Sequence, residues 1–99
     1  MSPAMQFPHP QIEEFCRRHG IRRLALFGSV LRPDFNKDSD VDVLIEFVPG
    51  RRIGLFGLAG LELELSAMIG RKVDVRTPGD LSRFFRDDVL RTALDQYAA

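Results

Sequence analysis

Apolar positions along this chain follow two rhythms. Ile12, Phe15, Cys16 and His19 recur every three or four residues, and Gly20 stands where a left-handed cap would end a helix, so a first helix is expected over about 10–19. Leu24-Ala25-Leu26-Phe27 is instead an unbroken apolar run stopped by Gly28, as a strand covered on both faces reads. Val30-Leu31-Arg32 leaves room only for a brief helix before Pro33, and 33–38 is rich in turn formers. A second strand is expected over about 41–47, ended by Pro49-Gly50. Leu55, Leu58, Leu61, Leu65, Met68 and Ile69 then make a long helical stripe closed by Gly70, and a third strand follows over about 72–76. Thr77-Pro78-Gly79 breaks that strand, and Val89, Leu90, Ala93, Leu94 and Tyr97 mark a final amphipathic helix.

The second and third strands are separated by a helix long enough for a parallel crossover, whereas little more than a turn separates the first two. These connections predict a short mixed sheet with helices packed on one face, a two-layer α/β (α+β) arrangement.

Acidic residues interrupt the pattern. In Ser39-Asp40-Val41-Asp42-Val43-Leu44-Ile45 a strand's period of two puts Asp40 and Asp42 on one face and the valines on the other. Lys72-Val73-Asp74-Val75-Arg76 repeats this, with Asp74 opposite its valines. Aspartate is depleted in strands, so three such residues call for a reason. Carboxylates converging on one sheet surface repel one another unless cations intervene, and an all-oxygen ligand set suits Mg²⁺. Taken alone, Asp74 reads equally well as a surface residue solvated beside Lys72 and Arg76. Gly28-Ser29 is an ordinary turn pair by itself. Beside the aspartates, its glycine admits close backbone approach, and its serine offers a hydroxyl and N–H groups to an anion. Arg32 fits either a phosphate contact or a solvated helix end.

Composition narrows the classes further. Ninety-nine residues with 14 basic and 14 acidic side chains make one domain, 1–99, of zero net charge, with 1–9 expected to be flexible. Zero net charge disfavours direct nucleic-acid binding through bulk charge. A lone cysteine, Cys16, permits no internal disulfide and points to a reducing cytoplasm. The longest apolar run, 53–61, is broken by glycines and falls short of the roughly 20 residues that span a bilayer, so no membrane role is expected. Arg17, Arg18, Arg22 and Arg23 lack interleaved aromatics and read as a solvated helix end; Glu46 reads as exposed and uninvolved. His9 and His19 lack zinc spacing. Phe84, Phe85 and Tyr97 fit either a core or a partner surface.

The segments Gly28-Ser29-Val30-Leu31-Arg32, Ser39-Asp40-Val41-Asp42 and Val73-Asp74-Val75 together resemble the polymerase-β-type nucleotidyltransferase superfamily, and in size its minimal nucleotidyltransferase (MNT) proteins. The resemblance covers about residue 12 to the C-terminus, with Pro33 replacing the glycine usual after the motif's arginine. It implies two Mg²⁺ ions bound by Asp40, Asp42 and Asp74, with ATP held at Gly28, Ser29 and Arg32. It implies adenylyl transfer to a tyrosine of a HEPN-domain toxin ribonuclease, bound as a hetero-oligomer and silenced by this antitoxin. Two alternatives stay open: an antitoxin acting by binding alone, and an enzyme adding nucleotides to RNA ends, which would need a partner or oligomer to grip its substrate.

Overall fold

The computed structural model describes residues 8–31, 33, 39–51 and 53–98, with the side chains of 29, 30 and 55 outside that description. Of the stretch 1–9 expected to be flexible, 1–7 lie outside the described residues, and the first helix, α1 (His9–His19), begins directly after Pro8. Proline is tolerated in a helix's first turn because N–H groups there have no partner within the helix. Gly20 ends α1 at φ 67°, its N–H donating to the Arg17 carbonyl at 3.4 Å.

The chain then runs through β1 (Ile21–Phe27), a 3₁₀ turn at Gly28–Leu31, β2 (Val41–Phe47), α2 (Leu55–Ile69) and β3 (Val73–Arg76). A second 3₁₀ turn (Pro78–Asp80), α3 (Arg86–Thr92) and β4 (Leu94–Ala98) follow. The sheet order is β3-β2-β1-β4. β1 is antiparallel to β2 and to β4, while β2 and β3 run parallel across the α2 crossover, which is the mixed sheet the connections require.

One face of the sheet carries Leu24 and Leu26, Val41, Val43 and Ile45, and Val73 and Val75. Ile12, Phe15 and Cys16 of α1 and Leu61 and Leu65 of α2 complete the core against it. Each such side chain, fully buried, contributes about 1.5–3 kcal/mol. The two long helices therefore lie on the valine face as expected.

The opposite face departs from expectation. Register places Phe27 beside Asp42, Ala25 beside Leu44 and Arg23 beside Glu46. Ala25 and Leu44 are buried there under Leu81, with Val89 and Leu90 of α3 packed against them. Only the aspartate end of this face stays open. Glu46 is not exposed and idle: its side chain is 16% exposed and takes Arg22 at 2.7 Å and Arg23 at 3.1 Å. Those arginines sit on β1 rather than on a helix end, because β1 starts at Ile21 and not at Leu24. The final helix is also shorter than its periodicity suggested, and its second half is strand β4, paired to β1.

Candidate active site

Asp42 is the second residue of β2 and Asp74 the second of β3, and parallel register sets them opposite each other. Adjacent strands lie about 4.8 Å apart, so the two carboxylates leave one face as neighbours. Both line an open cleft of about 420 Å³, together with Phe27, Arg76, Asp80, Leu81, Ser82 and Phe85. Asp40 lies one pleat upstream of Asp42, half exposed, just before the strand begins. The pairing of β2 with β3 starts beside it, where the Val41 N–H donates to the Lys72 carbonyl at 2.9 Å.

The acids have basic neighbours. Asp74 Oδ2 accepts from Arg76 Nη2 at 3.0 Å, and Lys72 Nζ stands 3.8 Å from Asp40 Oδ2. Among the described residues no three His, Cys, Asp or Glu side chains form a ready-made metal cage. The backbone thus puts Asp42 and Asp74 on one surface with Asp40 at its rim. Lys72 and Arg76 offset part of the negative charge that Asp40 and Asp74 bring to this surface. The donor chemistry fits a hard divalent cation, since carboxylate oxygens are what Mg²⁺ takes.

Gly28 opens the turn that leaves β1 and has φ 73°, a left-handed value that favours glycine. A Cβ there would overlap Asp42 Oδ2. Backbone shape and the space owed to Asp42 make the same demand. The backbone of Ser29 continues this turn, while its side chain and all of Arg32 lie outside the described residues.

Sequence reasoning missed Asp80, Leu81, Ser82 and Phe85 as walls of the cleft. A signal for Asp80 was present in Thr77-Pro78-Gly79-Asp80, which has the form of a capping box. Asp80 Oδ2 accepts from the Thr77 N–H at 3.2 Å and from Thr77 Oγ1 at 3.1 Å. That box folds the chain after β3 back over the sheet, which seats Leu81 on Leu44 and lets Phe85 flank the acids. Of the three aromatics that fitted either role, Tyr97 packs against the core and Phe84 is exposed. No helix among the described residues is long and apolar enough to cross a membrane.

Comparison with known proteins agrees with this geometry. The family model for the nucleotidyltransferase domain matches residues 10–97. The protein adenylyltransferase MntA of Thermococcus cleftensis is 35% identical over 81 residues, 80% of this chain and 78% of that one. A solved structure provisionally described as a minimal nucleotidyltransferase is 37% identical, covers 87% of this chain and 86% of its own, and gives a TM-score of 0.71. A crystal structure of a toxin-antitoxin with AMP-PNP shares the fold at 16% identity, with a TM-score of 0.74 over 94% of this chain and 75% of that one. An acidic pair on neighbouring parallel strands, a glycine turn beside it and a family match over nearly the whole length lead to one conclusion: the chain belongs to the nucleotidyltransferase-domain family.

Proposed function

We propose that this protein transfers AMP from ATP to a hydroxyl, that of a tyrosine, on a HEPN-type toxin ribonuclease, and so serves as its antitoxin within a hetero-oligomer in the cytoplasm. The observation that carries the reading is the opposition of Asp42 and Asp74 on one sheet face, with side-chain-free Gly28 against Asp42. A relative named protein adenylyltransferase and a fold shared with a toxin-antitoxin holding AMP-PNP support it.

Asp40, Asp42 and Asp74 would hold two Mg²⁺ ions, which when bound neutralise triphosphate charge and lower the pKa of the attacking hydroxyl. Gly28 and Ser29 would hold the β- and γ-phosphates through backbone N–H groups and the serine hydroxyl, and the motif's arginine, Arg32, would supply a guanidinium to them. Such contacts would set the α-phosphorus in line with the acceptor. Asp74 takes the acceptor's proton as its oxygen bonds to the α-phosphorus, while the bond to the bridging oxygen breaks and pyrophosphate leaves with the electron pair. Phe27 and Phe85 wall the cleft on the apolar side.

The test is intact mass spectrometry of the partner after incubation with this protein, ATP and Mg²⁺. The expected result is a rise by one or more AMP units that vanishes in the Asp40→Asn, Asp42→Asn double variant. A silenced ribonuclease of unchanged mass would replace this reading with a binding-only antitoxin. Label appearing on RNA ends instead would point to the RNA-directed alternative.

A further inference from the structure

We propose that Glu62 and Ser66 of α2 are positioning residues for Asp74, fixing the strand that carries it from the side where the sheet ends. β3 is an edge strand of four residues, so β2 holds only its inner side. Alternate N–H groups of a strand point to opposite edges, and the outward ones on an edge strand have no ladder to join. Here they are taken by side chains: the Val73 N–H donates to Ser66 Oγ at 3.0 Å and the Val75 N–H to Glu62 Oε2 at 2.8 Å.

Glu62 and Ser66 are four residues apart, one helical turn, so they leave α2 on the same side and reach two alternate residues of the strand. Asp74 lies between the two anchored valines. The helix stands in for a further strand, with the Glu62 link the stronger because its acceptor is a carboxylate. Hydrophobic packing of α2 does not call for these groups, since Leu61 and Leu65 already bury its inner side. Only three side chains of this helix are polar, and the third, Glu64, pairs with Arg18 of α1. Holding β3 is what remains for the other two.

The inference rests on the reading of Asp74 as the base in adenylyl transfer. Three variants test it with the partner present: Glu62→Ala, Glu62→Gln, which keeps a carbonyl acceptor, and Ser66→Ala. In Glu62→Ala, kcat for AMP transfer should fall about tenfold, in the range found when supports of reacting groups are removed, while KM for ATP stays within about twofold. Glu62→Gln should recover most of kcat, and Ser66→Ala should show a smaller loss of the same kind. Amide exchange at 73–75 should quicken in Glu62→Ala and return toward wild type in Glu62→Gln.

An unchanged kcat in Glu62→Ala overturns the inference. So does Glu62→Gln as impaired as Glu62→Ala, or a kcat loss that merely tracks lost folded protein. If the wild-type chain transfers nothing, the reading of the reaction fails separately; unaltered exchange at 73–75 in Glu62→Ala then still refutes the positioning role.

Discussion

Gly28 turns a bare Cα toward the carboxylate of Asp42, and a Cβ built on it would collide with Asp42 Oδ2. The same residue has φ 73°, where a side chain is strained even in open space. Gly28→Ala should therefore cost about 1–3 kcal/mol of stability from the backbone alone. Relief of the collision displaces Asp42, so affinity for a non-hydrolysable ATP analogue with Mg²⁺ should drop even where the variant is fully folded. Urea denaturation and calorimetric titration separate the two effects. Wild-type nucleotide affinity in folded Gly28→Ala would mean that Asp42 does not depend on this cradle.

Asp74 and Asp40 should fail differently when neutralised. Asp74→Asn is expected to retain Mg-ATP binding and to lose transfer by about 100-fold or more, the scale of a missing general base. Asp40→Asn should lose both binding and transfer. Equilibrium binding and single-turnover labelling of the partner distinguish these patterns. Transfer by Asp74→Asn at the normal rate would remove its assigned role.

Three strands, two long helices and the exit of Asp42 and Asp74 opposite their valines were legible because period, capping glycines and connection lengths all agreed, while the register that sets the two acids side by side was not. β4 was hidden for a physical reason. Leu94-Asp95-Gln96-Tyr97-Ala98 has no β-branched residue, and Leu94 and Tyr97 continue the helical spacing of Val89, Leu90 and Ala93. What makes this segment a strand is β1, whose edge away from β2 would otherwise leave N–H and C=O groups of a buried strand unpaired. Such a demand is tertiary and leaves no local trace. Arg22 and Arg23 misled similarly, since their partner Glu46 is more than twenty residues away and meets them only across the β1–β2 pairing. Gly28, Ser29 and Arg32 were legible only as a motif.

Arg23 ties four elements together. Its guanidinium reaches Glu46 of β2 at 3.1 Å, Asp95 of β4 at 2.6 Å and the Leu90 carbonyl of α3 at 3.1 Å. Arg23→Ala leaves these acceptors without their shared donor and should lower stability by about 2 kcal/mol, as for hydrogen bonds to charged groups. Arg23→Lys should recover only part, because an ammonium lacks the guanidinium's fork. Arg22, half exposed, should tolerate alanine within about 0.5 kcal/mol. Equal costs at the two positions in urea denaturation would refute this assignment.

Cys16 is fully buried among Ile12, Phe15 and the sheet core, and burial pushes its thiol up to about 12. The thiolate is the reactive form, so labelling at about pH 8 should be negligible in the folded protein and should rise only with global unfolding in urea. Between the ordinary thiol value of 9.0 and about 12, the unfolded chain loses this proton first, so stability declines as pH rises through that window. Cys16→Ala should remove that component of the alkaline decline. Rapid labelling under native conditions would show that the core opens locally around α1.

Glu64 joins α2 to α1. Its Oε2 meets Arg18 Nη2 at 2.5 Å and its Oε1 lies 3.1 Å from His19 Nε2. The Arg18 hydrogen bond chiefly, with partial burial opposing and His19 assisting, holds the Glu64 carboxyl below its ordinary 4.5. A carboxylate that stays ionised to lower pH when folded stabilises the native state fully above its unfolded value. That contribution is lost as pH falls through the depressed folded value. Wild type should therefore be more stable than Glu64→Gln at about pH 7, and the gap should close as pH drops below about 4.5. Because Arg18 is half exposed, added salt should narrow the gap at neutral pH as well. Thermal unfolding of both proteins across pH and salt reads this directly, and a gap indifferent to both would reduce the Glu64 contact to packing.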